Sequence, residues 1–348
     1  MGELVIEGLE LRYGPTEVVR DLGLTVGDGE LVSLLGPSGA GKTTILRAVA
    51  GLIQPAGGDI RIDGRSVLHL PPERRDAVMV FQKPLLFPFM SVWENVGFGL
   101  RMQRRLTADD RRRIDDILDL TGLTGHAGRR PHELSGGQQQ RASLARALVL
   151  QPAALLLDEP LSHLDATLRG QMRELIAEIQ SRTRTTTLFV THDQAEALMI
   201  SGRIGLLLDG RLRQVGTPRD LFHRPADPEV ARFFGGENFF AGRVRDGVFH
   251  SPYVTAPVGT ANGGGGGRTA TIRPEDIVVR GADGGSGVIG RITRTRFEGV
   301  ATRVWVACDG VTFLALSPDP DLRPGQTVRV HLPPDRVRVF PKSSNSSQ

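Results

Sequence analysis

The stretch Glu30–Leu52, ELVSLLGPSGAGKTTILRAVAGL, decides how the rest of the chain is read. It passes from a short, nearly continuous apolar segment through a glycine-rich turn into an apolar pattern with helical spacing. Such a run, ending at glycine, suits a strand buried on both faces of a parallel sheet. Gly36–Thr43 matches G-x-x-x-x-G-K-[ST] in the strand–turn–helix context that this pattern needs. The glycines let backbone N–H groups wrap a polyphosphate, and the start of the helix adds partial positive charge. Lys42 reaches the β- and γ-phosphates, and the Thr43 hydroxyl suits Mg²⁺. The candidate nucleotide-binding residues are therefore Gly36, Pro37, Ser38, Gly39, Ala40, Gly41, Lys42, Thr43 and Thr44, with ATP and Mg²⁺ as the expected cofactors.

Further apolar runs follow the same logic. AALLLD (Ala153–Asp158), TTLFVT (Thr186–Thr191) and RIGLLLD (Arg203–Asp209) are short and continuous, with helical stretches between them. That alternation predicts an α/β fold with a mainly parallel sheet and right-handed crossovers. Asp158 ends an apolar strand, where a carboxylate can hold Mg²⁺ through water. Glu159 follows directly and is placed to polarise an attacking water as general base. LSGGQQQR (Leu134–Arg141) opens a second helix with small residues, so Ser135 and the Gly136 and Gly137 amides form a second anion-binding end.

At 348 residues the chain suggests two domains, and its hydrophobic (39%) and charged (24%) fractions fit a globular protein. No apolar run is long enough to span a bilayer. The start, MGELVIEG, lacks the features of a secretory leader, and the single cysteine, Cys308, excludes an internal disulfide. These features lead to the expectation of a cytoplasmic location. The balance of 43 basic against 39 acidic residues is too even to indicate nucleic-acid binding.

Between Thr43 and Leu134 lies a long insertion, with a helical subdomain expected over about 84–145. Within it, LTADDRRRIDDILDLTGL (Leu106–Leu123) reads as a helix with Thr107 and Asp110 in a capping box. Arg111–Asp115 and Arg112–Asp116 are spaced to pair on one face, so Arg111–Arg113 reads as a solvated surface rather than a nucleic-acid patch. Near Asn238 the helical period fades. Asp246-Gly247 and Asp309-Gly310 are hairpin signals, and TRVWVACDGVTFLAL and QTVRVHLPPDRVRVF read as strands. A small, barrel-like all-β domain over 236–342 follows, with GGGGG (Gly263–Gly267) as a flexible loop and 343–348 as a disordered tail.

The phosphate loop, LSGGQ at Leu134–Gln138 and the strand ending Asp158-Glu159 together resemble an ATP-binding-cassette (ABC) ATPase subunit over residues 3 to about 235. The resemblance implies two cassettes packed head to tail, the signature Ser135-Gly136-Gly137-Gln138 of one copy closing over the γ-phosphate bound to the other. It also implies a glutamine loop at Gln82 (VFQKPLLFP) that senses Mg²⁺ and γ-phosphate and contacts a membrane partner. His192 (FVTHDQAEA) is implied as the switch histidine, Asp165 (LSHLD) as part of an interface loop and Tyr13 as the aromatic that stacks on adenine. His163 departs from the small or amide residue usual in that loop.

NFFAGRV and TIRPEDIVV resemble the OB-like transport-associated (TOBE) domain that follows the cassette in a subset of bacterial importers. The combination implies the motor of a polyamine, iron(III), sulfate, molybdate or sugar importer, at the cytoplasmic face of the membrane. Its partners would be a second copy, two permease subunits and, indirectly, an extracytoplasmic solute-binding protein, with no nucleic acid. Leu86-Phe87-Pro88 is closer to the polyamine and inorganic-ion members than to sugar members, although Phe89 stands where histidine is common. Sulfate, molybdate or sugar importers are the alternative; beyond them stand an exporter motor, against which the β domain argues, and a nucleic-acid-associated ABC ATPase, against which the lack of sustained heptads and of a second cassette argues. A regulatory ligand site in the β domain remains open.

Overall fold

The computed structural model describes residues 2–258 and 266–341. The chain divides into two compact units, 1–218 and 219–348. In the first, β1 (Leu4–Tyr13), β2 (Thr16–Val26) and β3 (Leu31–Leu35) lead into α1 (Lys42–Val49). There follow β4 (Gly57–Ile62), β5 (Arg65–Ser66), β6 (Ala77–Val80), α2 (Val92–Gln103), α3 (Ala108–Leu120) and α4 (Gly136–Leu148). The unit is completed by β7 (Ala154–Asp158), α5 (Ala166–Thr183), β8 (Thr186–Thr191), α6 (Gln194–Ile200), β9 (Arg203–Leu208) and β10 (Arg211–Gly216).

Two sheets result. The six-stranded sheet has the order β10-β9-β3-β8-β7-β6, with every pair parallel except the edge pair β10–β9. Its central strands β3, β7 and β8 are buried along their whole length because both faces are covered, whereas the edge strand β10 is more polar and partly exposed. Leu156, Leu188 and Val190 face a core shared with α1, while Leu155, Leu157 and Phe189 face one shared with α4 and α5. Such alternation follows from the period of two along a strand.

The four-stranded antiparallel sheet, β2-β1-β4-β5, covers the other side of α1 and is not anticipated by the sequence pattern. In β1 the buried residues are Leu4, Ile6, Leu9 and Leu11, so the parity of the pattern reverses midway. The cause is a register shift between Ile6 and Leu9 in the pairing with β2. A bulge of this kind hides an amphipathic strand from a simple alternation test.

The segment read as one long insertion is therefore partly sheet. Its helical part, α2 to α4, has its own core of Val96, Ile114, Leu118, Ala142 and Ala145. The Thr107–Asp110 capping box forms as expected, and Ser91–Glu94 makes another at the start of α2. The expected Arg111–Asp115 and Arg112–Asp116 pairs are replaced by other contacts. Arg111 lies over the Trp93 ring at 5.9 Å, and Trp93 Nε1 donates to Asp115 at 2.9 Å. Arg112 instead meets Asp109 one turn back. An aromatic ring beside Arg111 and Asp115 offers each a better contact than an exposed ion pair, which contributes little.

The second unit holds α7 (Pro218–His223, its first residue closing the first unit) and α8 (Pro228–Phe233), then, among the described residues, ten strands. Strands β11 (Asn238–Arg245), β12 (Val248–His250), β13 (Thr255–Pro257), β14 (Gly266–Ile272) and β15 (Val278–Gly281) come first. The last five are β16 (Val288–Phe297), β17 (Thr302–Cys308), β18 (Val311–Ser317), β19 (Thr327–His331) and β20 (Arg338–Val339). They form two five-stranded antiparallel sheets, β13-β12-β11-β14-β20 and β15-β19-β16-β17-β18, around one core in which Phe240, Phe249, Tyr253 and Phe313 cluster. Both Asp-Gly turns close hairpins, joining Arg245 to Val248 and Cys308 to Val311.

Buried Asn238 fastens the sheets together. Its Nδ2 donates to Ile272 O at 3.1 Å and Leu314 O at 2.9 Å, while Leu314 N donates to its Oδ1 at 2.7 Å. The sequence places the domain change near 235, but the compact units part after Pro218. Within the second unit, the Arg273 guanidinium donates to Phe234 O and Phe222 O and lies over the Phe222 ring, tying α7 and α8 to the strands. Gly266 and Gly267 open β14 and are not loop, whereas Gly263–Gly265 and the tail 343–348 lie outside the described residues.

Candidate functional site

In a parallel sheet the carboxyl ends of all strands share one edge, and loops leaving that edge build the site. Here β3 delivers the phosphate loop, β7 delivers Asp158 and Glu159, β8 delivers His192, and β6 leads to Gln82. The strand order β3-β8-β7-β6 makes these four loops neighbours.

The phosphate loop is fixed by close approach. A Cβ on Gly36 would lie 2.2 Å from Leu207 O, and Gly41 caps α1 at φ 102°, a conformation that favours glycine. No side chain caps α1, so its first amides remain available to an anion. Lys42 is buried and its Nζ donates to Gly36 O and Pro37 O, each at 2.8 Å. Burial lowers its pKa, and the nearby charges of Glu159 and Asp158 oppose that shift.

Thr43 Oγ1 donates to Asp158 Oδ1 at 2.8 Å. Burial raises the Asp158 pKa against the pull of that hydrogen bond, and the Glu159 charge adds to the rise. A divalent cation would relieve this cost. Hydroxyl and carboxylate oxygens are the donors that Mg²⁺ prefers, and it keeps several waters and phosphate oxygens besides. Among the described residues no group of three His, Cys, Asp or Glu is placed to hold a metal ion by itself.

Glu159 sits at φ 44°, in the left-handed region that a glutamate seldom adopts. Strain of that kind persists where surrounding bonds impose it. Glu159 N donates to Val190 O at 3.0 Å, and Ser162 Oγ donates to Glu159 O at 3.0 Å. The carboxylate is gripped from both sides. His192 Nδ1 lies 3.1 Å from Oε1, while Gln82 Nε2 lies 3.4 Å from Oε2 and donates to Ser162 Oγ at 3.0 Å. Ser162 is the member that sequence reasoning missed. Its signal was weak, a serine three residues beyond the acidic pair.

The remaining candidates lie apart from this network. Ser135 and Gln138 form a capping box at the start of α4, with Ser135 N donating to Gln138 Oε1 at 2.9 Å. Gln138 Nε2 also meets His126 Nε2 at 3.0 Å. Gly136 has nothing within 4 Å of an added Cβ. Asp165 caps α5 by accepting from Leu168 N at 2.9 Å, and Tyr13 is half exposed at the end of β1.

A further residue missed by sequence reasoning supports the segment after Gln82. Asn95 is fully buried on α2; its Nδ2 donates to Phe87 O, Met90 O and Ser91 O, and its Oδ1 accepts from Phe87 N at 2.7 Å. The loop it holds exposes Leu85 (57%) and Phe89 (87%). Among the described residues no helix is long and apolar enough to cross a membrane.

Residues 19–162 match the ABC transporter family model and residues 270–340 that of the TOBE domain. The spermidine/putrescine import ATP-binding protein PotA of Marinobacter nauticus is 43% identical over 306 residues, which cover 85% of this chain and 82% of that protein. The Fe(3+) ions import ATP-binding protein FbpC of Photobacterium profundum is 48% identical over 244 residues, 70% of each chain. The sulfate/thiosulfate import ATP-binding protein CysA 2 of Chromobacterium violaceum is 39% identical across 97% of this chain and 95% of its own. Among solved structures, the ATP-binding cassette MJ0796, a dimer in a post-hydrolysis state bound to ADP and Pi, matches at 30% identity with a TM-score of 0.56. That match covers 62% of this chain and 99% of the other.

Proposed function

This chain belongs to the ATP-binding subunits of ABC importers that carry a TOBE domain, and we propose that it drives uptake of a polyamine or of iron(III). It binds ATP and couples its hydrolysis to transport. It works as a dimer within a membrane-associated transport system, with two permease subunits and an extracytoplasmic binding protein as the proposed partners and the cytoplasmic face as its proposed position.

The observation that carries the catalytic reading is the grip on Glu159 by His192 on one side and Gln82 on the other, next to the Thr43–Asp158 pair. In this reading the amides of Gly36–Thr44 and Lys42 hold the triphosphate, and Tyr13 stacks on adenine. Thr43, Asp158 and Gln82 would hold Mg²⁺, which would neutralise phosphate charge when bound. Glu159 accepts a proton from the attacking water at its carboxylate, and His192 orients that carboxylate through Nδ1 and faces the γ-phosphate. Ser135, Gly136, Gly137 and Gln138 serve the nucleotide of the opposite copy, and Asp165 lies at the interface between copies. Exposed Leu85 and Phe89, backed by Asn95, supply the apolar surface for a permease.

For the solute, Leu86-Phe87-Pro88 and the names of the relatives support a polyamine or iron(III). Sulfate is the second reading, favoured by a relative that matches nearly the whole chain; molybdate or sugar would be a further departure. The test compares uptake of labelled spermidine, putrescine, iron(III), sulfate, molybdate and maltose in a strain lacking this chain. The expected result is loss of polyamine or iron uptake. Retention of both, with loss of sulfate, molybdate or maltose uptake, would overturn the choice.

A further inference from the structure

Outside the residues that face the nucleotide, Arg169 occupies an unusual position. It lies in the first turn of α5, and its Nη2 donates to Leu164 O at 3.1 Å. Leu164 belongs to the loop 161–165, between Glu159-Pro160 and α5. The rest of the guanidinium points at α6. Nη1 lies 3.8 Å from Asp193 Oδ2, and Nε lies 3.9 Å from Glu196 Oε1. Both exceed hydrogen-bond length, and Nε is buried with no partner.

The acidic side of this contact is built around His192. Glu196 is buried, and its Oε2 accepts from Thr191 Oγ1 at 2.5 Å. That same hydroxyl accepts from Asp193 N at 3.0 Å, and Asp193 Oδ1 accepts from Glu196 N at 3.1 Å. The backbone on either side of His192 is thus clasped by one carboxylate and one hydroxyl. Burial raises the Glu196 pKa, with the Thr191 hydrogen bond and the Arg169 charge among the opposing causes. The carboxylate therefore lacks a close cation, while the guanidinium lacks an acceptor for its buried Nε. A displacement of about 1 Å would bring the two within hydrogen-bond reach.

We propose that Arg169 is a positioning residue that ties the loop 161–165 to the Asp193–Glu196 side of His192, so that the position of the loop sets how His192 is held against Glu159. This rests on the reading that His192 acts in hydrolysis and that the loop lies between copies. Arginine suits the task because its planar fork serves a carbonyl and two carboxylates at once.

The test uses the full chain and measures steady-state ATP hydrolysis, with nucleotide affinity read by a fluorescent ATP analogue. Arg169→Met and the isosteric Glu196→Gln should each lower kcat by on the order of tenfold, the scale of losing one hydrogen-bonded orienting contact. KM and analogue affinity should stay within about twofold, as expected when only the transition state is affected. The double variant should be no worse than the poorer single, and Arg169→Lys should recover part of the loss. Wild-type kcat in Arg169→Met, equal losses of kcat and affinity, or additive losses in the double variant would overturn the proposal. Where Arg169→Met does not fold, Glu196→Gln decides by the same criteria. His192→Ala separates the premises: full turnover by it removes the catalytic reading and this proposal together. An inactive His192→Ala beside an unimpaired Arg169→Met removes this proposal alone.

Discussion

The phosphate loop and the segment Leu134–Gln138 are both glycine-rich starts of helices, yet their own chain treats them differently. Around the first, four strand ends supply Lys42, Thr43, Asp158, Glu159, His192 and Gln82, bonded to one another or to the loop. Around the second, Ser135 and Gln138 bond to each other, Gln138 also meets His126, and the space at Gly136 is open. A helix start whose capping box engages only the Ser135 and Gln138 amides, with open space at Gly136, fits a surface completed by another copy. On the proposed reading, the difference teaches that one chain carries two half-sites, one furnished and one waiting.

The strongest way to break that comparison is Glu159→Gln. Loss of a general base should slow hydrolysis by about 10²–10⁴-fold while ATP binding survives. Sedimentation should then find an ATP-held dimer, because the open half-site stays closed over an uncleaved nucleotide. Normal turnover, or a variant that remains monomeric with ATP bound, would remove the basis for pairing the two segments.

A sharper, smaller test sets Gly36→Ala against Gly136→Ala. The added Cβ at residue 36 meets Leu207 O at 2.2 Å and should cost about 1–3 kcal/mol of stability. At residue 136 it meets nothing and begins a helix, where alanine is preferred to glycine by up to ~1 kcal/mol. The monomer's melting temperature should hold or rise slightly, while hydrolysis falls by on the order of tenfold or more through misplaced phosphate-facing amides. A Gly136→Ala protein with unimpaired hydrolysis would show that the second segment serves no nucleotide.

The smallest stability effect expected concerns Asp158, the buried carboxylate that only the furnished half-site contains. Its folded pKa is raised by burial, so ionisation destabilises the fold above the ordinary Asp range. Asp158→Asn keeps an acceptor for Thr43 and should raise the melting temperature at pH 7. That gain should vanish as the pH falls below the unfolded Asp value, where both forms are neutral, and hydrolysis should be lost. A melting temperature that drops at pH 7 would mean that the Thr43 bond outweighs the burial cost.

Much of the furnished half-site is legible in the amino-acid sequence. The apolar runs ending at Gly36, Asp158 and Thr191 are strands, and the residues after them are the candidate site. The β half is legible through its Asp-Gly turns, both of which close hairpins. The antiparallel sheet is not, because the register shift in β1 reverses the buried parity between Ile6 and Leu9. Nor is the division after Pro218, with α7 and α8 tied to the strands by Arg273 through Phe222 and Phe234. Ser162 and Asn95 carry little signal of their own because their importance lies in partners distant in sequence, Gln82 for the first, and in a loop's folded path for the second.

The sequence by itself determined the local chemistry: a strand, a glycine turn and a lysine-bearing helix start form a phosphate-binding pattern, since the backbone amides and Lys42 lie within a few residues of one another. Tertiary structure decided which groups meet. Gln82 and Glu159 are 77 positions apart, and their contact exists because β6, β7, β8 and β3 lie side by side with their carboxyl ends on one edge. Strand order is set by the packing of two faces of a sheet against helices, a property of the whole unit that no short segment encodes.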